Sequence, residues 1–386
     1  MPILSARQAA EIARGVYDLR TQTVADALKT GIGTDGMFAV DDGKGLKSST
    51  GAKMFRTLTN FGYIARGIGP YRDEVLIATR GTDIPADWVT NLNIGMQFGP
   101  SNLLVHAGFN ETWKGLLPEL RNFFRTHRPT RIHCVGHSLG GALAALNADY
   151  CSDQGIAKVE LYTFGAPRAG DGVFARSLTQ RLGKDSIRRV SHPADPVPMI
   201  PLFPFWHLPF AKPGLTIAKT SNWPISFNAH RMQASYIPGV ADVDWKALGH
   251  GDAPADDAAQ VKNWLERTAD GKGSILMGSA TVLSMIGKAL AWLTAAAGRL
   301  VAGSVGITLA TGFTVLDQVA WLLTKGAQLA REIGVYVGTL MATILRFLGR
   351  KAVQTADVTS AFLRWVLELL FSSLRNVAQR ALRTVL

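Results

Sequence analysis

Apolar positions along the chain fall into three regimes. Near the start, Ala9, Ile12, Ala13, Val16 and Tyr17 recur at helical spacing, which predicts an amphipathic helix over residues 5–30. The glycine- and aspartate-rich stretch 31–51 breaks that period and reads as a loop or irregular hairpin. From residue 61 onward the apolar runs become short and continuous. Residues 61–66 and 74–79 read as strands joined by a Gly-Pro turn, and 131–135 and 186–190 read as further strands. Strand and helix signals alternate as far as residue 195, which predicts an α/β fold with crossover helices. Residues 193–213 are rich in proline and aromatics, and the nearly all-apolar run from Leu202 to Phe210 is too interrupted for regular structure. One more helix, near 258–267, closes this regime, and 270–274 reads as a linker.

The third regime is helical, apolar and basic. Between residues 274 and 323 the only charges are Lys288, Arg299 and Asp317, while Gly303, Gly306 and Gly312 argue against one unbroken helix. In the last segment Leu363, Val366, Leu367, Leu370, Phe371, Leu374 and Val377 share one helical face. Arg364, Glu368, Arg375, Gln379 and Arg383 share the opposite one. A length of 386 residues suits one large domain plus a module, so we expect units at 1–270 and 271–386. Of the net charge of +12, residues 271–386 carry two-thirds, with 12 Lys/Arg against 4 Asp/Glu. Basic and apolar together point to an anionic membrane surface rather than nucleic acid, for which no motif is present. A spanning helix needs about 20 apolar residues; residues 300–316, followed by Asp317, are marginal and 333–345 are too few.

Other features bound the setting. Arg7, Glu11 and Arg14 interrupt any early apolar core, so the expectation is cytoplasmic synthesis without a cleaved signal peptide, membrane association, and any export by a signal-independent route. Cys134 and Cys151 read as two reduced, buried thiols. No metal-ligand spacing and no cofactor motif is expected to matter.

The chemistry centres on Gly136-His137-Ser138-Leu139-Gly140-Gly141. A strand precedes it and an Ala/Leu-rich helix start follows, the setting of a nucleophile elbow in an α/β-hydrolase. The turn forces a strained backbone on the serine and crowds the residues two before and two after it, where Gly136 and Gly140 stand. A serine hydroxyl needs a base, and the base needs an acid to orient it; in this fold both follow the serine in chain order. Asp195 stands just past the strand at 186–190, at the lip of the sheet, a placement that Asp153, Asp171 and Asp185 lack. For the base, His230 sits in a loop leading into a helix start, His207 in the proline-rich loop and His250 in a Gly-His-Gly turn; His230 fits best and His250 remains the alternative. His137 is read as a neighbour whose side chain points away from the hydroxyl. Amide donors for an oxyanion are expected from Leu139, at the start of the elbow helix, and from the loop Arg80-Gly81-Thr82-Asp83.

These residues resemble the class 3 (fungal-type) lipases over roughly residues 9–236. The resemblance rests on several motifs in order: Arg80-Gly81-Thr82 followed by Asp87-Trp88 and Asn91-Leu92; Val105-His106-Ala107-Gly108-Phe109; the elbow; Phe164-Gly165-Ala166-Pro167-Arg168 with Gly170-Asp171; and Asp195-Pro196-Val197-Pro198. It implies a lipase-type sheet, Thr82 as oxyanion residue, Ser138, Asp195 and His230 as triad, and a structural His106. Two departures are visible. The family histidine is often followed by an aromatic three to five residues on, whereas Tyr236 is six on, and the compact lipases have no counterpart of 271–386.

The resemblance implies a lipid ester substrate, with Trp88 in the segment covering the serine as a substrate contact. The basic tail favours a phospholipid, phospholipase A-type, over a neutral triacylglycerol. The expected partners are therefore lipid and an anionic membrane surface. A sharper expectation is an antibacterial effector, with a cognate immunity protein and a secretion-machine component as partners. The rivals are a housekeeping intracellular lipase and, in another class, a membrane-permeabilising or docking protein with a vestigial hydrolase.

Overall fold

The computed structural model describes residues 3–20, 34, 36–40, 45–50, 57–81, 95–201, 204–218, 225–251, 258–269, 280–302, 315–351 and 359–383. In chain order the strands are β1 (Phe38–Ala39), β2 (Gly45–Thr50), β3 (Thr57–Gly67), β4 (Glu74–Thr79), β5 (Met96–Phe98), β6 (Leu104–His106), β7 (Arg131–His137), β8 (Lys158–Phe164), β9 (Gly170–Asp171), β10 (Ile187–Ser191), β11 (Phe205–Trp206), β12 (Leu215–Thr216) and β13 (Gly249–His250). The helices are α1 (Ala6–Gly15), α2 (Ala107–Lys114), α3 (Leu117–Thr126), α4 (Leu139–Asp153), α5 (Gly172–Leu182), α6 (Ile237–Val240), α7 (Ala258–Ala269), α8 (Ala280–Ala302), α9 (Val315–Leu329), α10 (Arg331–Phe347) and α11 (Ser360–Arg383).

The main sheet runs β1-β3-β4-β7-β8-β10-β12-β13, with β2 also paired to β3. Its centre, β4-β7-β8-β10, is parallel, and the flanking pairs β3-β4 and β12-β13 are antiparallel. Strands buried on both faces read as unbroken apolar runs, and every residue of β4 is buried. This is the α/β sheet with crossover helices expected from the alternating pattern. A smaller sheet, β11-β9-β6-β5, lies beside it and takes Phe205 and Trp206 from the proline-rich run. Within the stretch 31–51, expected as a loop or irregular hairpin, β1 and β2 each pair antiparallel with β3 and not with each other.

Helix α1 starts at Ser5, whose hydroxyl accepts from the Gln8 amide at 3.1 Å while the Gln8 side chain accepts from the Ser5 amide at 2.9 Å, a reciprocal capping box. It is shorter than expected, giving way to a 3₁₀ turn at Val16–Arg20; the rest of the expected helix, 21–30, falls outside the described residues. Charges at the N-terminal ends of the central strands are buried in pairs: Glu74 with His133 at 2.6 Å and with Arg131 at 3.2 Å, and Glu160 with Arg188 at 2.8 Å. Removing one partner of such a pair strands a buried charge, so this end of the sheet tolerates little change. Cys134 and Cys151 are both free and buried.

Helices α8 to α11 form a bundle that rests on α7. Leu283, Ile286 and Leu290 of α8, Ala320 and Leu323 of α9, Val337 and Leu340 of α10, and Leu363 and Leu367 of α11 are buried in one apolar cluster that also includes Val261 and Leu265 of α7. Polar contacts at this junction are Lys262 with Glu332 at 2.8 Å, Tyr336 donating to Glu266 at 2.8 Å, and Arg346 donating to the Thr268 carbonyl at 3.3 Å. The apolar face of α11 noted in the sequence is therefore occupied by neighbouring helices. Residues Thr281–Val301 of α8 are long and apolar enough to cross a membrane, a stretch missed by the sequence reading, yet half of that window is buried inside the protein. Leu340 is fully buried, so Leu340→Ala is expected to destabilise the protein by roughly 2–5 kcal/mol in chemical denaturation.

Candidate active site

Strand β7 ends at His137 and α4 begins at Leu139, leaving Ser138 alone in the turn with φ 58° and ψ −134°. A side chain at Gly136 would collide with the Gly140 carbonyl, so the turn closes only around glycine. The turn is pinned by the Ser138 amide donating to the Phe164 carbonyl at 3.0 Å and by the Gly141 amide donating to the Ser138 carbonyl at 2.9 Å. Strain held this way fixes where the hydroxyl points.

Ser138, His230 and Asp195, expected as a set, come together. The Ser138 hydroxyl lies 2.9 Å from His230 Nε2, and His230 Nδ1 lies 2.8 Å from Asp195 Oδ2. All three side chains are buried. A carboxylate only accepts, so His230 carries its proton on Nδ1 and leaves Nε2 free to accept from the serine. Asp195 is held by two further donors, the Val197 amide to Oδ1 at 2.9 Å and the Tyr236 hydroxyl to Oδ2 at 2.6 Å. Gly165, at φ 56°, passes so close that an added Cβ would stand 2.8 Å from Asp195 Oδ2 and 3.1 Å from His230 Nδ1.

The other candidates fall elsewhere. His250 is exposed on β13. Burial, with Arg189 and Arg168 nearby, pushes His207 well below the usual histidine value. Asp171 caps α5 by accepting from the Phe174 amide at 2.8 Å, Asp153 ends α4, and Asp185 pairs with Lys184 at 2.6 Å. His106 packs its ring against Phe109 at 4.4 Å and Phe205 at 5.4 Å between centroids. Leu139 is the first helical residue of α4, where an amide has no intrahelical carbonyl to bond. The Arg80-Gly81 end of the neighbouring loop reaches the elbow, since a Cβ on Gly81 would stand 3.2 Å from Ser138 Cβ. Thr82 and Trp88 lie outside the described residues.

Tyr236 is a residue beside Asp195 that spacing alone did not assign. A π-type turn at Met232–Tyr236 takes up the extra residues after His230 and returns the ring to Asp195. Burial, together with the adjacent Asp195 charge, pushes its phenol well above the usual tyrosine value, so it stays a donor. The same hydroxyl accepts from the His192 amide at 3.2 Å. Tyr236→Phe leaves that buried amide without its partner, at a cost of about 1–3 kcal/mol. The expected result is a lower denaturation midpoint, with kcat reduced roughly tenfold as Asp195 loses an anchor.

Residues 76–205 match the family described as lipase (class 3). Over that stretch the chain is similar to the class 3 lipases. It is similar to the secreted mono- and diacylglycerol lipase 1 of Fusarium solani, 36% identical over 147 residues, which are 35% of this chain and 43% of the relative. It is also similar to the secreted mono- and diacylglycerol lipase A of Penicillium cyclopium, 31% identical over 150 residues, 36% of this chain and 47% of the relative. The matched stretch thus spans less than half the length of these relatives. Among solved structures, a Rhizomucor miehei lipase in complex with its propeptide aligns with 56% of this chain and 68% of its own at 21% identity and a TM-score of 0.38. The class 3 lipase match begins inside β4 and ends at β11, so it takes in Ser138 and Asp195 and stops short of His230.

One expectation is corrected by these relatives. Cytoplasmic synthesis without a cleaved signal peptide was read from the charges at Arg7, Glu11 and Arg14. The Fusarium solani and Penicillium cyclopium proteins, and a third relative from Malassezia globosa, are named as secreted lipases, which points to export. The charges in question lie on α1, a capped helix of the folded domain, so they report on that helix and not on export.

Proposed function

We propose that the domain is a serine lipase that cleaves carboxylic esters of glycerolipids through an acyl-enzyme. The observation that carries this reading is the buried chain of hydrogen bonds from Ser138 through His230 to Asp195. Ser138 Oγ attacks the ester carbonyl carbon while His230 Nε2 takes the hydroxyl proton. The Asp195 carboxylate stabilises the resulting imidazolium without being protonated. The Leu139 amide, at the positive end of the α4 dipole, faces the oxyanion, with Thr82 as second donor. The tetrahedral intermediate expels the alcohol, which leaves with the proton from His230. Water, activated by the same base, then releases the fatty acid. In this account Trp88 meets the acyl chain.

The substrate we favour is a glycerophospholipid, cleaved in the manner of a phospholipase A at an anionic surface. Support comes from the positive charge of residues 271–386 and from Trp321 and Trp365, which are 44% and 42% exposed on the bundle. Their helices are joined by the Arg364–Asp317 pair at 2.9 Å. Exposed tryptophan with basic residues suits a membrane interface. A second reading, an acylglycerol substrate, is favoured by the names of the Fusarium and Penicillium relatives.

The test is the purified chain on vesicles containing both phosphatidylglycerol and diacylglycerol, with products separated by mass. Lysophospholipid with fatty acid supports the first reading. Monoacylglycerol with fatty acid and no lysophospholipid supports the second. No ester cleavage in either lipid would sink both.

A further inference from the structure

Beside the nucleophile lies a buried group that the reaction above does not use. His137, next to Ser138, packs its ring tilted against His230 with centroids 4.6 Å apart and an interplanar angle of 34°. Its Nε2 lies 2.8 Å from the backbone carbonyl of His230, and its Nδ1 lies 2.8 Å from the hydroxyl of Tyr17. That hydroxyl also accepts from the Gly81 amide at 3.1 Å. Tyr17 comes from the 3₁₀ turn after α1, so a single tyrosine brings the N-terminal segment to three parts of the site.

The proton positions follow from what each atom can do. The His230 carbonyl only accepts, so His137 carries its hydrogen on Nε2. Burial, and then the close approach of a second imidazole on His230, pushes His137 well below the usual histidine value, so the ring is neutral and Nδ1 has a lone pair. Tyr17 therefore donates to Nδ1 at 2.8 Å in preference to the His137 carbonyl, which is farther away at 3.5 Å. The hydroxyl oxygen is then free to accept from Gly81. The bonds point one way, from the Gly81 amide to Tyr17, to His137 and to the His230 carbonyl. Gly81 is held on its other side as well, its carbonyl accepting from Arg80 Nη1 at 2.8 Å.

We propose that Tyr17 and His137 are positioning residues, a neutral hydrogen-bonded strut that sets the oxyanion loop and the backbone of the catalytic histidine against the nucleophile elbow. Gly81 directly precedes Thr82 in the sequence, and the strut fixes its amide and carbonyl beside Ser138. The Gly81 amide is committed to Tyr17, which leaves the oxyanion to Leu139 and Thr82. At the far end, the carbonyl of His230 is tied to the residue next to Ser138, so base and nucleophile share one anchor. A neutral ring also places no positive charge against the imidazolium that forms on His230 during the reaction.

This inference rests on the serine lipase reading, and the experiment separates the two. Wild-type protein is first treated with a fluorophosphonate probe; absence of label on Ser138 would count against the lipase reading itself, before Tyr17 is altered. With labelling established, histidine-selective 15N NMR of the wild type is expected to show His137 neutral and protonated at Nε2. Protonation at Nδ1, or a charged ring, overturns the proposal without need of any variant. Tyr17→Phe is expected to lower kcat about tenfold with KM unchanged, the loss of one oriented hydrogen bond, while the His230 carbonyl keeps the His137 proton on Nε2. His137→Gln, which can still donate to the His230 carbonyl, recovers most of the kcat lost in His137→Leu. A Tyr17→Phe protein with wild-type kcat would refute the strut, as would equal losses in the Gln and Leu variants.

Discussion

Ser138→Ala is expected to lower kcat for ester hydrolysis by about a millionfold while leaving the protein folded. Among the described residues the Ser138 hydroxyl is the group hydrogen-bonded to the proposed base, with its proton directed to His230 Nε2 at 2.9 Å. Without it, His230 can act only on water, and the Asp195 and Leu139 groups orient nothing covalent. The fold survives because the turn depends on Gly136 and on backbone bonds of residue 138, not on its side chain. Alanine tolerates φ 58° no worse than serine does. The measurement is kcat on a soluble short-chain ester beside a thermal melt and fluorophosphonate labelling. Activity within tenfold of wild type, in a protein that no longer labels, would remove Ser138 from the mechanism.

The elbow was legible because its demands are local. Strand, glycine, serine, glycine and helix occupy one short stretch, and steric crowding leaves few residue types that fit. Asp195 was legible for a similar reason, standing just past a strand whose period identified it. His230 was harder to choose, since three histidines follow Asp195 and only the fold decides which of them the chain returns to the sheet. Tyr236 lay beyond the expected spacing because a π-type turn absorbs residues that sequence periodicity counts as ordinary helix. Tyr17 left no signal of its polar role: at helical spacing among Ala9, Ile12, Ala13 and Val16 it reads as one more apolar position. Its partner stands 120 positions away.

The C-terminal helices show the complementary difficulty. A face made of Leu363, Val366, Leu367 and Leu370 has the same sequence whether it meets lipid or other helices. In the structure these side chains are buried with those of α8 to α10 and with Leu265 of α7. What remains for a lipid surface is the outer side of the bundle, where Trp321, Leu329, Val335 and Trp365 are exposed. Periodicity found the helices, and it could not assign their partners.

Asp195→Asn is the second large effect, a loss in kcat of about ten-thousandfold with the geometry nearly unchanged. The carboxylate accepts from His230 Nδ1 and from the Tyr236 hydroxyl on the same oxygen, and from the Val197 amide on the other. An asparagine can keep its oxygen toward only one of these sides. With the oxygen toward Val197, its amide faces His230 and Tyr236 as a donor. Nδ1 must then accept, the imidazole proton moves to Nε2, and the Ser138 hydroxyl meets a donor where it needs a base. With the oxygen toward His230, the amide group faces the Val197 N–H, two donors in a site that is 1% exposed. Either arrangement also leaves the imidazolium without a counter-charge as the ester is attacked. The check is kcat across pH for wild type and Asp195→Asn, with the His230 tautomer read by 15N NMR. If the variant keeps the Nδ1–H tautomer and more than a tenth of wild-type kcat, Asp195 neither orients nor stabilises the base, and the acid of the site lies elsewhere.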